Sequence, residues 1–242
     1  MTTDLAPLLD DIRRVDRRVL AAVADLTDDD VRAPSRLPGW TRGHVLAHLV
    51  GVAAGAARQL EHAVAGVERV DFYDGGRAGR DAAIEAGAGR GADEHRAALR
   101  DAVDRVEAAL AAVRPDVLDV ATGYRDRPVH DVVRLWWREA EIHATDLGLP
   151  ELTTAGWSPA LRAHLVTYLA DRAPDGVRLE LVPTDGDAGE RHVLGARDAT
   201  PLTVRGAAND VVVWLAGREP GGAVTAERDG VVVPLPELRP WP

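Results

Sequence analysis

From Leu5 to Leu147 the apolar residues recur three and four apart, and beyond Pro150 that period stops. A 3.6-residue period predicts helices, each with one apolar stripe to bury against its neighbours. Residues 4–26 carry Leu5, Leu8, Leu9, Ile12, Val15, Val19, Leu20 and Val23 on one stripe, and the run Thr27, Asp28, Asp29, Asp30 breaks it. Residues 42–66 are rich in Ala, Val and Leu, behind a Pro38-Gly39 turn and with Thr41 placed as N-cap. Residues 92–113 repeat the pattern through Leu99, Val103, Val106, Leu110 and Val113. Residues 128–147 open on Pro128 and stop before Gly148 and Pro150. Four such helices predict a bundle. Between the second and third, residues 71–91 hold Gly75, Gly76, Gly79, Gly87, Gly89 and Gly91, which predicts a mobile loop with a short helical piece at 80–86.

After Pro150 the texture is mixed. Residues 159–172 and 207–216 suit helices, the second stopped by Gly217. Short β-like runs lie at 177–182, 192–194, 202–204, 224–226 and 231–233. Helices first and mixed strands later predict an α+β chain, with an all-helical domain at 1–150 and a small α+β domain at 151–242.

Composition removes several chemistries. There is no cysteine, so disulfides, iron–sulfur clusters and a protein thiolate are excluded. All 29 basic residues are arginine, so no lysine can form a Schiff base or act as a base. The net charge of -10 argues against nucleic-acid binding. No apolar run reaches membrane-spanning length, and the opening residues lack a basic stretch leading into an apolar one. The expected location is therefore the cytoplasm. The Walker phosphate loop, the nucleophile elbow and the dinucleotide-binding fingerprint are all missing.

Two pairs of residues stand four apart: His44 with His48, and Glu139 with His143. That spacing puts each pair on one helical face. Facing bundle helices can converge imidazole and carboxylate on one metal ion. His48, Glu139 and His143 would form a His₂Glu set with an open position, the pattern of a catalytic zinc centre; other divalent metals could compete. His44 would be a fourth ligand or only a helix cap. Glu141 points away from Glu139 on an ideal helix. His62, His95, His130, His164 and His192 lack a partner at ligand spacing and read as surface or packing residues. Trp136 and Trp137 read as packing, with one free to line a pocket. Spacing alone also allows a plain Glu–His surface pair with no metal.

The segment Leu37-Pro38-Gly39-Trp40-Thr41-Arg42-Gly43-His44-Val45-Leu46-Ala47-His48-Leu49 resembles the N-terminal signature of the mycothiol-dependent maleylpyruvate isomerase family, a branch of the DinB-like bundles. Arg138-Glu139-Ala140-Glu141-Ile142-His143-Ala144-Thr145-Asp146-Leu147 resembles its second signature. Ala207-Ala208-Asn209-Asp210 and Trp214-Leu215-Ala216-Gly217-Arg218 resemble the helix of its C-terminal domain. The resemblance implies a DinB-like four-helix bundle followed by a small C-terminal α+β domain. It implies Zn²⁺ held by His48, Glu139 and His143, with Arg218 reaching the active site as a catalytic residue. Arg218 also fits a simple C-capping arginine.

The resemblance further implies mycothiol as cofactor, a small-molecule substrate, and isomerisation of maleylpyruvate to fumarylpyruvate. A thiolate adds to the cis double bond, the resulting single bond rotates, and the thiolate departs. A chain without cysteine needs its thiol from outside for that route. The same apparatus could stop after addition, as a mycothiol S-transferase. A bundle that binds metal without catalysis, in a stress or binding role, is the alternative of another class. The contacts to mycothiol, the proton-transfer base and the oligomeric state stay open.

Overall fold

A computed structural model of the chain describes residues 5–185 and 191–242. Among them are eight helices and one five-stranded sheet. The chain divides after Thr153 into two compact units.

The first unit is a helix bundle. Helix α1 spans Ala6–Ala22 and is shorter than the stripe predicts; residue 4 lies outside the described residues. A short helix α2 follows at Asp28–Arg32, where a break was expected. Thr27 starts it with a capping box: its hydroxyl accepts from the Asp30 backbone N–H, and the Asp30 carboxylate accepts from the Thr27 N–H. The acidic run is thus the first turn of a new helix, where the helix dipole favours negative charge.

Helix α3, Arg42–Ala65, is the central element. It packs against α4 (Gly76–Ala88), α5 (Ala92–Ala111) and α6 (Val129–Asp146), while α1 packs on α5 and α6. The four long helices α1, α3, α5 and α6 close a bundle around Ile12, Val15, Leu46, Leu49, Leu60, Leu99, Val106, Val132 and Trp136, all buried. Thr41 caps α3 as expected, a contact that contributes about 1 kcal/mol. Gly66, in the left-handed region at φ 66°, ends it.

The glycine-rich stretch differs from the expectation of a mobile loop. Helix α4 runs from Gly76 to Ala88, longer than the short piece predicted at 80–86. The glycines permit contact rather than motion. A Cβ on Gly87 would lie 2.8 Å from the Ala47 Cβ, and one on Gly43 would collide with the Ala88 carbonyl. Glycine on both helices lets α4 lie tightly on α3. Gly55 does the same for the approach to α4: any Cβ there would strike the Phe72 ring. Buried Gln59 fixes that approach, donating to the Val70 carbonyl at 2.9 Å and accepting from the Gly123 N–H at 2.7 Å.

The second unit is α+β. Helix α7 covers Pro159–Tyr168, and a 3-10 turn at Ala170–Arg172 completes the segment expected to be one helix. The strands are β1 Val177–Pro183, β2 His192–Leu194, β3 Thr200–Gly206, β4 Thr225–Arg228 and β5 Val231–Val233. Their order is β2-β1-β3-β4-β5, with β1 and β3 parallel and the other pairs antiparallel. Leu179, Leu181, Leu202 and Val204 are buried, and helix α8, Ala208–Leu215, packs on β1, β3 and α7. Gly217 closes α8 in the left-handed conformation: its N–H reaches the Trp214 carbonyl, and the Arg218 N–H reaches that of Val213.

Candidate metal centre

His48 lies on the second turn of α3, and Glu139 and His143 lie four apart on α6, which packs against α3. The bundle brings all three together, with one donor atom from each within 4.8 Å of the others. Glu139 Oε2 stands 3.3 Å from His48 Nε2 and 3.3 Å from His143 Nε2. The two imidazoles meet edge to face, 4.3 Å between centroids. The side chains of His48, Glu139 and His143 are 3%, 20% and 14% exposed, so the cluster is largely but not wholly shielded from solvent.

Charges suit a cation here. Burial, then the neighbouring His143, pushes His48 down to about 4, so it stays neutral with a lone pair to give. Burial alone would raise Glu139, but hydrogen bonds from His143 and His48 hold it well below the usual carboxylate range. Burial would lower His143, yet Asp146 and Glu139 raise it above its ordinary value. One partly buried carboxylate between two imidazoles, with nitrogen and oxygen donors only, fits a divalent ion of the zinc type.

Asp146 was missed in the sequence. Its carboxylate is buried and sits 2.9 Å from His143 Nδ1. It pairs with that nitrogen and helps raise His143, and a carboxylate so placed would favour the tautomer with Nε2 free toward Glu139. The available signal was an acid three residues beyond a candidate ligand histidine.

His44 is not part of the cluster. Its Nδ1 faces Thr41, 2.7 Å from the hydroxyl, and completes the α3 cap; its ring stacks on Trp40. Glu141 does point away, buried against Arg14 and Arg18 of α1. Trp136 and Trp137 are both buried, and the Trp136 indole donates to Asp16 Oδ2 at 3.4 Å. His62 lies 2.7 Å from the Glu68 carbonyl, His130 lies beside Asp119 and Asp131, His164 stacks on Tyr168, and His95 is buried in α5.

Three further side chains stand close to the cluster. The Trp40 ring lies 5.9 Å from that of His48. Arg80, on α4, places Nη2 3.4 Å from His48 Nδ1. Tyr73 hydrogen-bonds Arg80 and feels the charge of Glu139. Arg218 belongs to the second unit. There its guanidinium stacks over Trp241 and donates to the Ala216 carbonyl at 3.1 Å, while Trp241 donates to the same carbonyl.

Among the described residues no helix is long and apolar enough to cross a membrane. No curated protein matches the sequence. Two solved structures match its fold: a mycothiol-dependent maleylpyruvate isomerase (TM-score 0.83) and a histidine-to-alanine mutant of a mycothiol-dependent maleylpyruvate isomerase (TM-score 0.82). Each is 22% identical, over 98% of this chain and 97% of the other. The profile of the mycothiol maleylpyruvate isomerase N-terminal domain matches residues 12–148, which hold every residue of the metal cluster. The chain belongs to the mycothiol maleylpyruvate isomerase family.

Proposed function

We propose that this protein is a zinc- and mycothiol-dependent isomerase that converts maleylpyruvate to fumarylpyruvate by thiolate addition, bond rotation and elimination. The observation that carries the reading is the His48, Glu139 and His143 cluster in a chain with no cysteine. A zinc ion bound there would favour the ionised form of an incoming thiol, which no side chain of this protein can replace.

The chain's own residues divide the remaining work. His48 and His143 give Nε2 lone pairs, and Glu139 supplies the one negative charge in the donor set. Asp146 holds the His143 ring in the required tautomer. Trp40 and Tyr73 stand beside the cluster and would shield it from water. Arg218, matched to the family's C-terminal pattern, is the proposed partner of a substrate carboxylate, which a guanidinium can hold bidentately.

The test is an assay of zinc-loaded protein with maleylpyruvate and, separately, a generic electrophile, with and without mycothiol. The isomerase reading expects product formation that needs the thiol without consuming it. Stoichiometric loss of thiol to an adduct would make the protein a mycothiol S-transferase. Zinc binding with neither reaction would favour a metal-binding role without catalysis.

A further inference from the structure

The two histidines of the cluster are backed by opposite charges. Behind His143 stands the Asp146 carboxylate, 2.9 Å from Nδ1. Behind His48 stands the Arg80 guanidinium, 3.4 Å from Nδ1. An arginine can only donate, so in this arrangement His48 Nδ1 accepts and its proton sits on Nε2, facing Glu139. A metal ligand needs the reverse: Nε2 gives its lone pair and Nδ1 carries the proton. Metal binding therefore sets an N–H against an N–H, and Arg80 loses its acceptor on His48.

The displaced guanidinium would still sit beside a cationic centre. Zinc with one carboxylate ligand carries a net charge of +1, and Arg80 adds another. Its remaining carboxylate partner is Asp81, 2.7 Å from Nη1 and half exposed. Tyr73 hydrogen-bonds Arg80, and burial followed by the Glu139 charge pushes its phenol up to about 12, so it remains a neutral donor. A Cβ built on Gly51, one turn beyond His48 on α3, would come within 4.0 Å of the Tyr73 ring, which places Tyr73 over that turn. One planar cation and one hydroxyl thus converge beside the metal cluster from outside the donor set.

We infer that Arg80 and Tyr73 form a carboxylate-binding subsite beside the metal centre and hold one end of a dianionic substrate. The inference rests on the proposed isomerase reading for the substrate class, since maleylpyruvate carries a carboxylate at each end.

The experiment uses the zinc-loaded full chain, maleate as the anionic probe and dimethyl maleate as its uncharged counterpart. Binding is measured by calorimetry for wild type, Arg80→Gln, Arg80→Lys and Tyr73→Phe, with zinc affinity and melting temperature recorded for each. Arg80→Gln should weaken maleate binding about tenfold or more, as loss of a charge-assisted hydrogen bond predicts. Arg80→Lys should recover part of it and Tyr73→Phe should lose less. The ester should bind weakly and equally to all four. Zinc affinity should hold or rise in Arg80→Gln, because a cation leaves the metal's vicinity. Unchanged maleate affinity, or a parallel fall in zinc affinity and melting temperature, would overturn the assignment and make Arg80 a packing residue.

Turnover separates this inference from the reading it rests on. Thiol-dependent isomerisation with an unchanged KM in Arg80→Gln removes the subsite and leaves the isomerase. Arg80-dependent maleate binding in a protein that does not isomerise maleylpyruvate keeps the subsite and removes the isomerase.

Discussion

Asp16 is a carboxyl group in the wrong place for an ion, and replacing it tests how the bundle tolerates that. It lies on the apolar stripe of α1, 2% exposed, with the Trp136 indole at 3.4 Å. Burial, reinforced by the charges of Glu107 and Glu141, raises it from 3.8 to about 8, against the opposing Trp136 hydrogen bond. Between those two values the folded chain binds one proton more than the unfolded chain, so stability falls as pH rises. From pH 5 to pH 9 the expected loss from this group is about 4 kcal/mol. Asp16→Asn removes the titration while keeping an oxygen for the indole. Urea unfolding of both proteins at pH 5, 7 and 9, at matched zinc content, reads the difference directly. The variant should gain on wild type steadily with pH. Glu141, lifted to about 7 mainly by burial, acts in the same sense in both proteins and cancels to first order. Parallel stability curves would refute the reasoning and place the Asp16 carboxylate in contact with water.

Three further outcomes follow from the site and its supports. Asp146→Asn should weaken zinc binding by about tenfold, by loosening the hold on the His143 ring, without lowering helix content; equal zinc affinity by competition with a chelator would remove Asp146 from the site. Zinc should be released as pH falls, beginning where His143 gains its proton, above its ordinary 6.5, while His48 near 4 competes only in stronger acid; retention that is flat from pH 8 to pH 5 would contradict this. Gly43→Val should cost about 1–3 kcal/mol and lift α4, with Arg80, away from α3; a melting temperature and maleate affinity equal to wild type would show that α4 does not need the close approach.

The bundle was legible because its apolar stripes are long and their caps are explicit, as at Thr41 and Gly66. The cluster was legible because Glu139 and His143 share a helical face and His48 repeats a histidine spacing one signature earlier. Helix α4 was legible only at 80–86, because glycine that allows close packing looks the same in sequence as glycine that allows motion; only Ala47 and Ala88 across the interface tell them apart. Arg80 opened the short helical piece expected at 80–86, but nothing in the sequence tied it to His48 across α3. Asp16 left a usable signal, an acid four residues after Ile12 on a buried stripe. Arg218 remains a residue with a local structural task, closing α8, and a proposed chemical one.

The central claim is that this protein holds an external thiolate on a metal bound by His48, Glu139 and His143. Zinc-edge X-ray absorption of the zinc-loaded protein, before and after adding mycothiol, tests it most directly. Only one sulfur atom is encoded in the whole sequence, that of Met1, so a new sulfur neighbour of zinc would come from the cofactor. Nitrogen and oxygen neighbours are expected at about 2.0–2.2 Å without thiol, joined by one sulfur at about 2.3 Å with it. A zinc shell unchanged by saturating mycothiol would contradict the central claim.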